Sequence, residues 1–163
     1  MSKATALLLV ILTALHGTEQ QVKCTGLSKY FVPNFTANWF KASEYCHYLG
    51  MRLAIVANQQ DQAKLIELVK GTDKFDNAST EFWIGASDLA EEGHFYWHAS
   101  GTRVLSANWK QNQPDNAGKV EHCVEIRYIP AHSWMWHWND RDCLQRRYFA
   151  CEALEIGKEI TLF

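Results

Sequence analysis

Five oxygen-bearing side chains stand close together in two stretches of this 163-residue chain. Gln113 and Asp115 flank Pro114, Glu121 precedes His122-Cys123, and Asn139 and Asp140 follow Trp138. Three carboxylates and two amides suit a hard divalent cation such as Ca²⁺, which takes roughly six to eight oxygen ligands at about 2.3–2.6 Å. Transition metals favour imidazole or thiolate instead. An X-Pro bond adopts the cis form at small cost, so Pro114 can turn both neighbours toward one point. A Cys123–Cys143 pairing, if made, brings Glu121 near Asn139 and Asp140 across a hairpin. Asp115, Glu121 and Asp140 could also be plain solvated loop acids, but their register with Pro114 and Trp138 argues for a common task.

Other chemistry finds less support. His94, His98, His122, His132 and His137 lack His-Glu-x-x-His or paired Cys-x-x-Cys spacing. No serine sits in a recognisable nucleophile elbow, so no catalytic residue is assigned and the chain does not read as an enzyme. The 16 basic and 18 acidic side chains leave a formal charge of −2 with no run of either sign. Nucleic-acid binding needs a concentrated basic face, so this balance argues against nucleic acid as a partner.

These side chains have to be held by a small set of elements. Ser28–Val32 reads as an opening strand. Thr36 or Asn38 can cap a helix running to about Leu49, because a short polar side chain satisfies free backbone N–H groups. Trp39, Ala42, Tyr45, Cys46 and Leu49 recur at helical steps on one face. A second helix is expected from about Gln59 to Val69, with Asn58 and Asp61 at capping-box spacing. Beyond Gly71, strands are expected at Phe82–Ala86, Phe95–His98, Cys123–Tyr128, Trp134–Trp138 and Arg147–Cys151. A polar stretch from roughly Ala99 to His122 separates them, long enough to be functional. Helices first and strands afterwards point to an α+β fold. Trp83, Trp97, Trp109 and Trp138 read as core.

Residues 1–17 have the three-part pattern of a secretory signal peptide: Lys3, an apolar Ala4–Leu15 run, then small residues. That run is too short for a membrane span of about 20 apolar residues. Residues 18–27 form a linker carrying Cys24, residues 28–153 one domain, and residues 154–163 a tail. A secreted chain makes the cysteines readable as a disulfide framework. Cys46, Cys123, Cys143 and Cys151 allow three pairings. Cys24 is left as an interchain candidate for a homodimer or heterodimer. Asn34-Phe35-Thr36 and Asn77-Ala78-Ser79 are glycosylation candidates.

Over about residues 28–153 the sequence resembles the C-type lectin family. Trp83-Ile84-Gly85-Ala86 is similar to the family's Trp-Ile-Gly-Leu strand, and Trp138-Asn139-Asp140 matches its Trp-Asn-Asp strand. The resemblance implies a C-type lectin-like fold, with two helices, small antiparallel sheets and a long calcium-binding loop region. It implies the disulfides Cys46–Cys151 and Cys123–Cys143. It also implies a principal Ca²⁺ site at Gln113, Asp115, Glu121, Asn139 and Asp140, joined by the backbone carbonyl of Asp140. Gln113-Pro114-Asp115 resembles the triplet associated with galactose-type ligands, and the sugar hydroxyls would meet the same five residues. A second, weak calcium position is half kept: Asp88 and Glu92 match, whereas Asn116 and His122 replace two acids. The family's galactose binders usually add an aromatic ring after the triplet; Asn116–Val120 has none, and Trp136 or His137 would have to substitute. The function implied is calcium-dependent binding of cell-surface or microbial glycans, in innate immune recognition or agglutination. The alternative is a disulfide-linked protein-interaction module of the same fold with little sugar binding.

Overall fold

Asn58 shows how local chemistry starts the elements that carry the site. Its Oδ1 accepts from Asp61 N at 2.9 Å and its Nδ2 donates to the Asp61 carboxylate at 2.9 Å. Asp61 is too short to reach back to the backbone, so the reciprocal half of the box goes to the capping side chain itself. The helix that follows is α2, Gln59–Lys70, which buries Leu65 and Val69. The other helix, α1 (Trp39–Tyr48), is capped by Asn38, whose side chain accepts from Lys41 N.

The computed structural model describes residues 29–154. The expected signal peptide, Cys24 and the tail beyond Leu154 lie outside the described residues. Strands β1 (Tyr30–Phe31), β2 (Met51–Leu53) and β8 (Cys151–Ala153) form one sheet in the order β1-β8-β2, antiparallel throughout. Strands β3 (Thr80–Ser87), β4 (Tyr96–Trp97), β5 (Glu121–Ile129) and β6 (Trp134–Asp142) form the larger antiparallel array β4-β3-β5-β6. Strand β7 (Tyr148–Phe149) pairs in parallel with β3. The fold is α+β, as the order of elements implied.

Two differences from the sequence reading have physical causes. The expected strand Arg147–Cys151 is split, with β7 joining β3 and β8 joining the other sheet. Ala150 at the switch donates to Trp83 O, while its own carbonyl accepts from Ala54 N at 2.8 Å. The polar stretch before β5 is held by isolated bridges at Tyr96–Arg103 and Trp109–Trp138 and by a short 3-10 turn, Ala117–Lys119.

Gly85 lies where the two sheets meet. A Cβ there would stand 2.6 Å from Leu53 O, so only glycine lets β3 approach the end of β2 this closely. Its amide donates to Ala54 O at 2.8 Å. Trp39 Nε1 donates to Ile84 O at 2.9 Å and Trp83 Nε1 to Ala37 O at 3.1 Å, locking α1 to β3.

The disulfides are Cys46–Cys151 and Cys123–Cys143. The first ties α1 to β8 across 105 residues of chain, a closure worth about 4–5 kcal/mol in the chain-entropy model. The second closes the β5–β6 hairpin that carries the acids.

Candidate metal centre

Strand β6 is the platform. Trp138 is buried, and its Nε1 donates to Gln62 Oε1 of α2 at 2.8 Å. Gln62 Nε2 in turn donates to Trp136 O at 3.1 Å. On the other edge of β6, Trp138 N donates to Asn108 O at 2.8 Å and Lys110 N to Trp138 O at 3.1 Å. This pairing carries the loop past β6, so that Asp115 and Asn116 arrive beside Asp140. The Gln113–Pro114 bond is cis. Asp140 then holds the loop: its Oδ1 accepts from Asp115 N at 3.2 Å and its Oδ2 from Asn116 N at 2.7 Å. The register of β5 on β6 sets Glu121 opposite Asp142 and Val124 opposite Asp140.

Three of the five singled-out side chains therefore converge through their carboxylates. Ligand oxygens of Asp115, Glu121 and Asp140 all lie within 4.8 Å of one another. Glu121 and Asp140 are buried, and Asp115 is exposed. Burial raises both buried carboxyls above their ordinary values; Asp140 adds to the rise at Glu121, and Asp115 to the rise at each. At an effective dielectric of about 20, unit charges this close repel by roughly 3–4 kcal/mol. Arg141 Nη1, 3.2 Å from Glu121 Oε1, offsets part of that. Gln113 brings a buried Oε1 that accepts no hydrogen bond, an orphan oxygen of the kind a cation satisfies. The negative charge concentrated at Asp115, Glu121 and Asp140 fits a hard cation. Asn139 lies on the inner side, 2 % exposed, with Nδ2 donating to Glu125 Oε1 at 3.0 Å and to the Asp140 carbonyl.

The second group is wired differently. His122 Nδ1 lies 3.1 Å from Asp88 Oδ1 and 3.4 Å from Glu92 Oε2. Asn116 Nδ2 donates to Glu92 Oε2 at 2.7 Å, and its Oδ1 accepts from Glu121 N at 3.0 Å. The two residues that replace acids thus act as donors toward the two acids that remain. A cleft of about 190 Å³ lined by Asp88, Glu92, Pro114, Asp115 and Asp140, among others, joins the two groups.

A family model described as the lectin C-type domain matches residues 35–153. The chain belongs to the C-type lectin domain family. It is 41% identical over 152 residues to C-type lectin 16 of Aedes aegypti, covering 93% of this chain and 99% of that protein. It is 30% identical over 114 residues to the galactose-specific lectin nattectin of Thalassophryne nattereri, covering 70% of this chain and 66% of that protein. Among solved structures it is similar to the C-type lectin CEL-I of Cucumaria echinata, with a TM-score of 0.62 and 27% identity over 75% of this chain and 86% of that one.

In this lectin domain Trp83, Trp97 and Trp138 are core residues, and Trp109 is half-buried with its ring edge-on to Phe95 and Trp138. Trp136 has φ 64° at an irregularity in the β5–β6 register. It stacks on Tyr128 at 4.7 Å and Phe75 at 5.8 Å and is 7 % exposed, so its ring faces the core. Asn34 and Asn77 are exposed. No helix among the described residues is long and apolar enough to cross a membrane.

Sequence reasoning passed over Arg141 and Glu125, the partners of two singled-out residues. A signal for Glu125 was available: an acid between Val124 and Ile126 in a strand otherwise reading as core.

Proposed function

We propose that this lectin domain binds galactose-type glycans through a Ca²⁺ ion held at Gln113, Asp115, Glu121, Asn139 and Asp140. The observation that carries the proposal is the convergence of three carboxylates within 4.8 Å, two of them buried. A bound Ca²⁺ supplies coordination positions that two adjacent sugar hydroxyls can fill. Around it, Asp115 and Glu121 accept hydrogen bonds from those hydroxyls while the Gln113 amide donates. The order amide-then-acid about Pro114 sets which hydroxyl meets a donor and which an acceptor. That order, and the galactose specificity in the name of nattectin, support the galactose-type assignment over mannose or fucose. With Trp136 turned into the core and no aromatic residue in Asn116–Val120, neither supplies a ring for the sugar's apolar face. Single-site affinity is weak on this reading, and useful binding comes from multivalency.

The signal-peptide pattern expected at residues 1–17 and the exposed candidate acceptor sites Asn34 and Asn77 support secretion. An extracellular role in innate recognition or agglutination goes with it. Cys24 is the residue for a disulfide-linked dimer, which would supply the second binding site in one particle. The missing ring favours a second reading, in which the same fold recognises a protein partner joined through Cys24. A glycan array with and without chelator separates the two: calcium-dependent signal on galactosides supports the first, and silence in both conditions supports the second.

A further inference from the structure

Glu125 is a carboxylate at 0 % exposure in the middle of β5, in register with Asn139 of β6 on one side and Trp83 of β3 on the other. A buried charge costs several kcal/mol unless its oxygens are fully engaged, and here both are. Oε2 accepts from Arg147 Nε at 2.8 Å, and Oε1 accepts from Asn139 Nδ2 at 3.0 Å. Arg147 also meets Glu81 at 3.2 Å, Glu81 meets Arg127 Nη2 at 2.8 Å, and Arg127 Nε stands 3.5 Å from Glu125 Oε1. Two acids and two guanidiniums thus cancel inside the sheet. Arg147 is itself fixed by its backbone, which exchanges hydrogen bonds of 3.0 and 2.9 Å with Ala37. Within this neutral cluster the Asn139 amide is the uncharged member.

The consequence lies in the asymmetry of an amide. Its two ends are nearly equal in size, but one donates and the other accepts, and a cation is served only by the accepting end. With the two Nδ2 hydrogens taken by Glu125 Oε1 and the Asp140 carbonyl, Oδ1 is the end left for an ion. We propose that Glu125, held by Arg147, is a positioning residue that sets the Asn139 amide with its carbonyl oxygen available to the cation. This rests on the calcium reading above. Glutamine in place of Glu125 is nearly isosteric but has one acceptor end for two donors. The charged Arg147 takes that oxygen, leaving an NH₂ group against Asn139 Nδ2, and the amide of Asn139 turns over.

The test is calcium titration by calorimetry on wild type, Glu125→Gln, Asn139→Asp and the double variant. Glu125→Gln should weaken Ca²⁺ binding by about 10–100-fold, the range for partners of metal ligands, with both disulfides and the near-ultraviolet circular dichroism kept. Asn139→Asp alone sets two carboxylates face to face and should also bind less tightly. In the double variant the amide introduced by Glu125→Gln donates to the carboxylate introduced by Asn139→Asp, so most of the affinity should return. Equal affinity in wild type and Glu125→Gln, or losses that simply multiply in the double variant, overturn the positioning role while leaving the calcium reading intact. A wild-type protein that takes no Ca²⁺ overturns both. If Glu125→Gln does not fold, the wild-type side-chain amide of Asn139, assigned by its loss in Asn139→Asp, decides. Slowed hydrogen exchange supports the committed donor, and exchange at the rate of an exposed amide overturns it.

Discussion

Asp140 on β6 reaches across to the loop and accepts the Asn116 backbone N–H at 2.7 Å. One carboxylate therefore closes the loop and adds its charge to the cluster formed with Asp115 and Glu121. Replacing it by Asn keeps the shape but leaves one acceptor where two N–H groups arrive. Asp140→Asn should weaken Ca²⁺ binding by at least about 100-fold, the upper range for altering groups around a metal. Calorimetric titration checks this, and an unchanged dissociation constant would remove Asp140 from the ligand set.

Glu121 and Asp140 have carboxyls raised above their ordinary values, chiefly by burial. Without calcium, the folded state holds these protons at a pH where the unfolded chain has released them. Their contribution thus favours folding at low pH and is lost as pH rises through the raised range. Calcium requires both groups ionised, so its affinity moves the opposite way and falls as pH drops through that range. The gap in Tm between calcium-loaded and calcium-free protein should narrow steadily as pH falls from neutral through the raised range of these two carboxyls. A constant gap contradicts the assignment.

Asn116 and His122 donate where two acids would complete a second site. Titration should count one tightly held Ca²⁺ per chain. The double variant Asn116→Asp, His122→Asp turns both donors into acceptors beside Asp88 and Glu92, and should gain a second ion. Two tight ions in the unaltered protein would refute this.

Gly85 is predicted to tolerate no side chain, because a Cβ would meet the Leu53 carbonyl at 2.6 Å. Backbone cannot yield as a flexible side chain does, so Gly85→Ala should cost about 1–3 kcal/mol. Thermal unfolding should show a Tm lower by roughly 4–11 °C, whereas an unchanged Tm would show that the two sheets can part at no cost.

The fold was legible wherever one residue type had one local use. Asn38 and Asn58 cap the helices as their short polar side chains imply. The cysteines pair as the family resemblance implied. The split at Ala150 was not legible, because an apolar run does not state which sheet receives each half. At the site, Asp115, Glu121 and Asp140 announce themselves by charge and meet in space. The role of Asn116 as a brace stayed hidden, since an amide in a polar loop carries no pattern until its partners Glu92 and Glu121 are in place. Arg141 was equally silent: its pairing with Glu121 depends on a register irregularity between Glu121 and Cys123 that spacing alone does not reveal.

A crystal structure of the protein grown with millimolar calcium and a galactoside tests the central claim most directly. The account predicts one ion with Gln113, Asp115, Glu121, Asn139 and Asp140 oxygens at about 2.3–2.6 Å and two sugar hydroxyls completing its shell. Glu121 and Asp140 turned apart, with no ion between them, would contradict it.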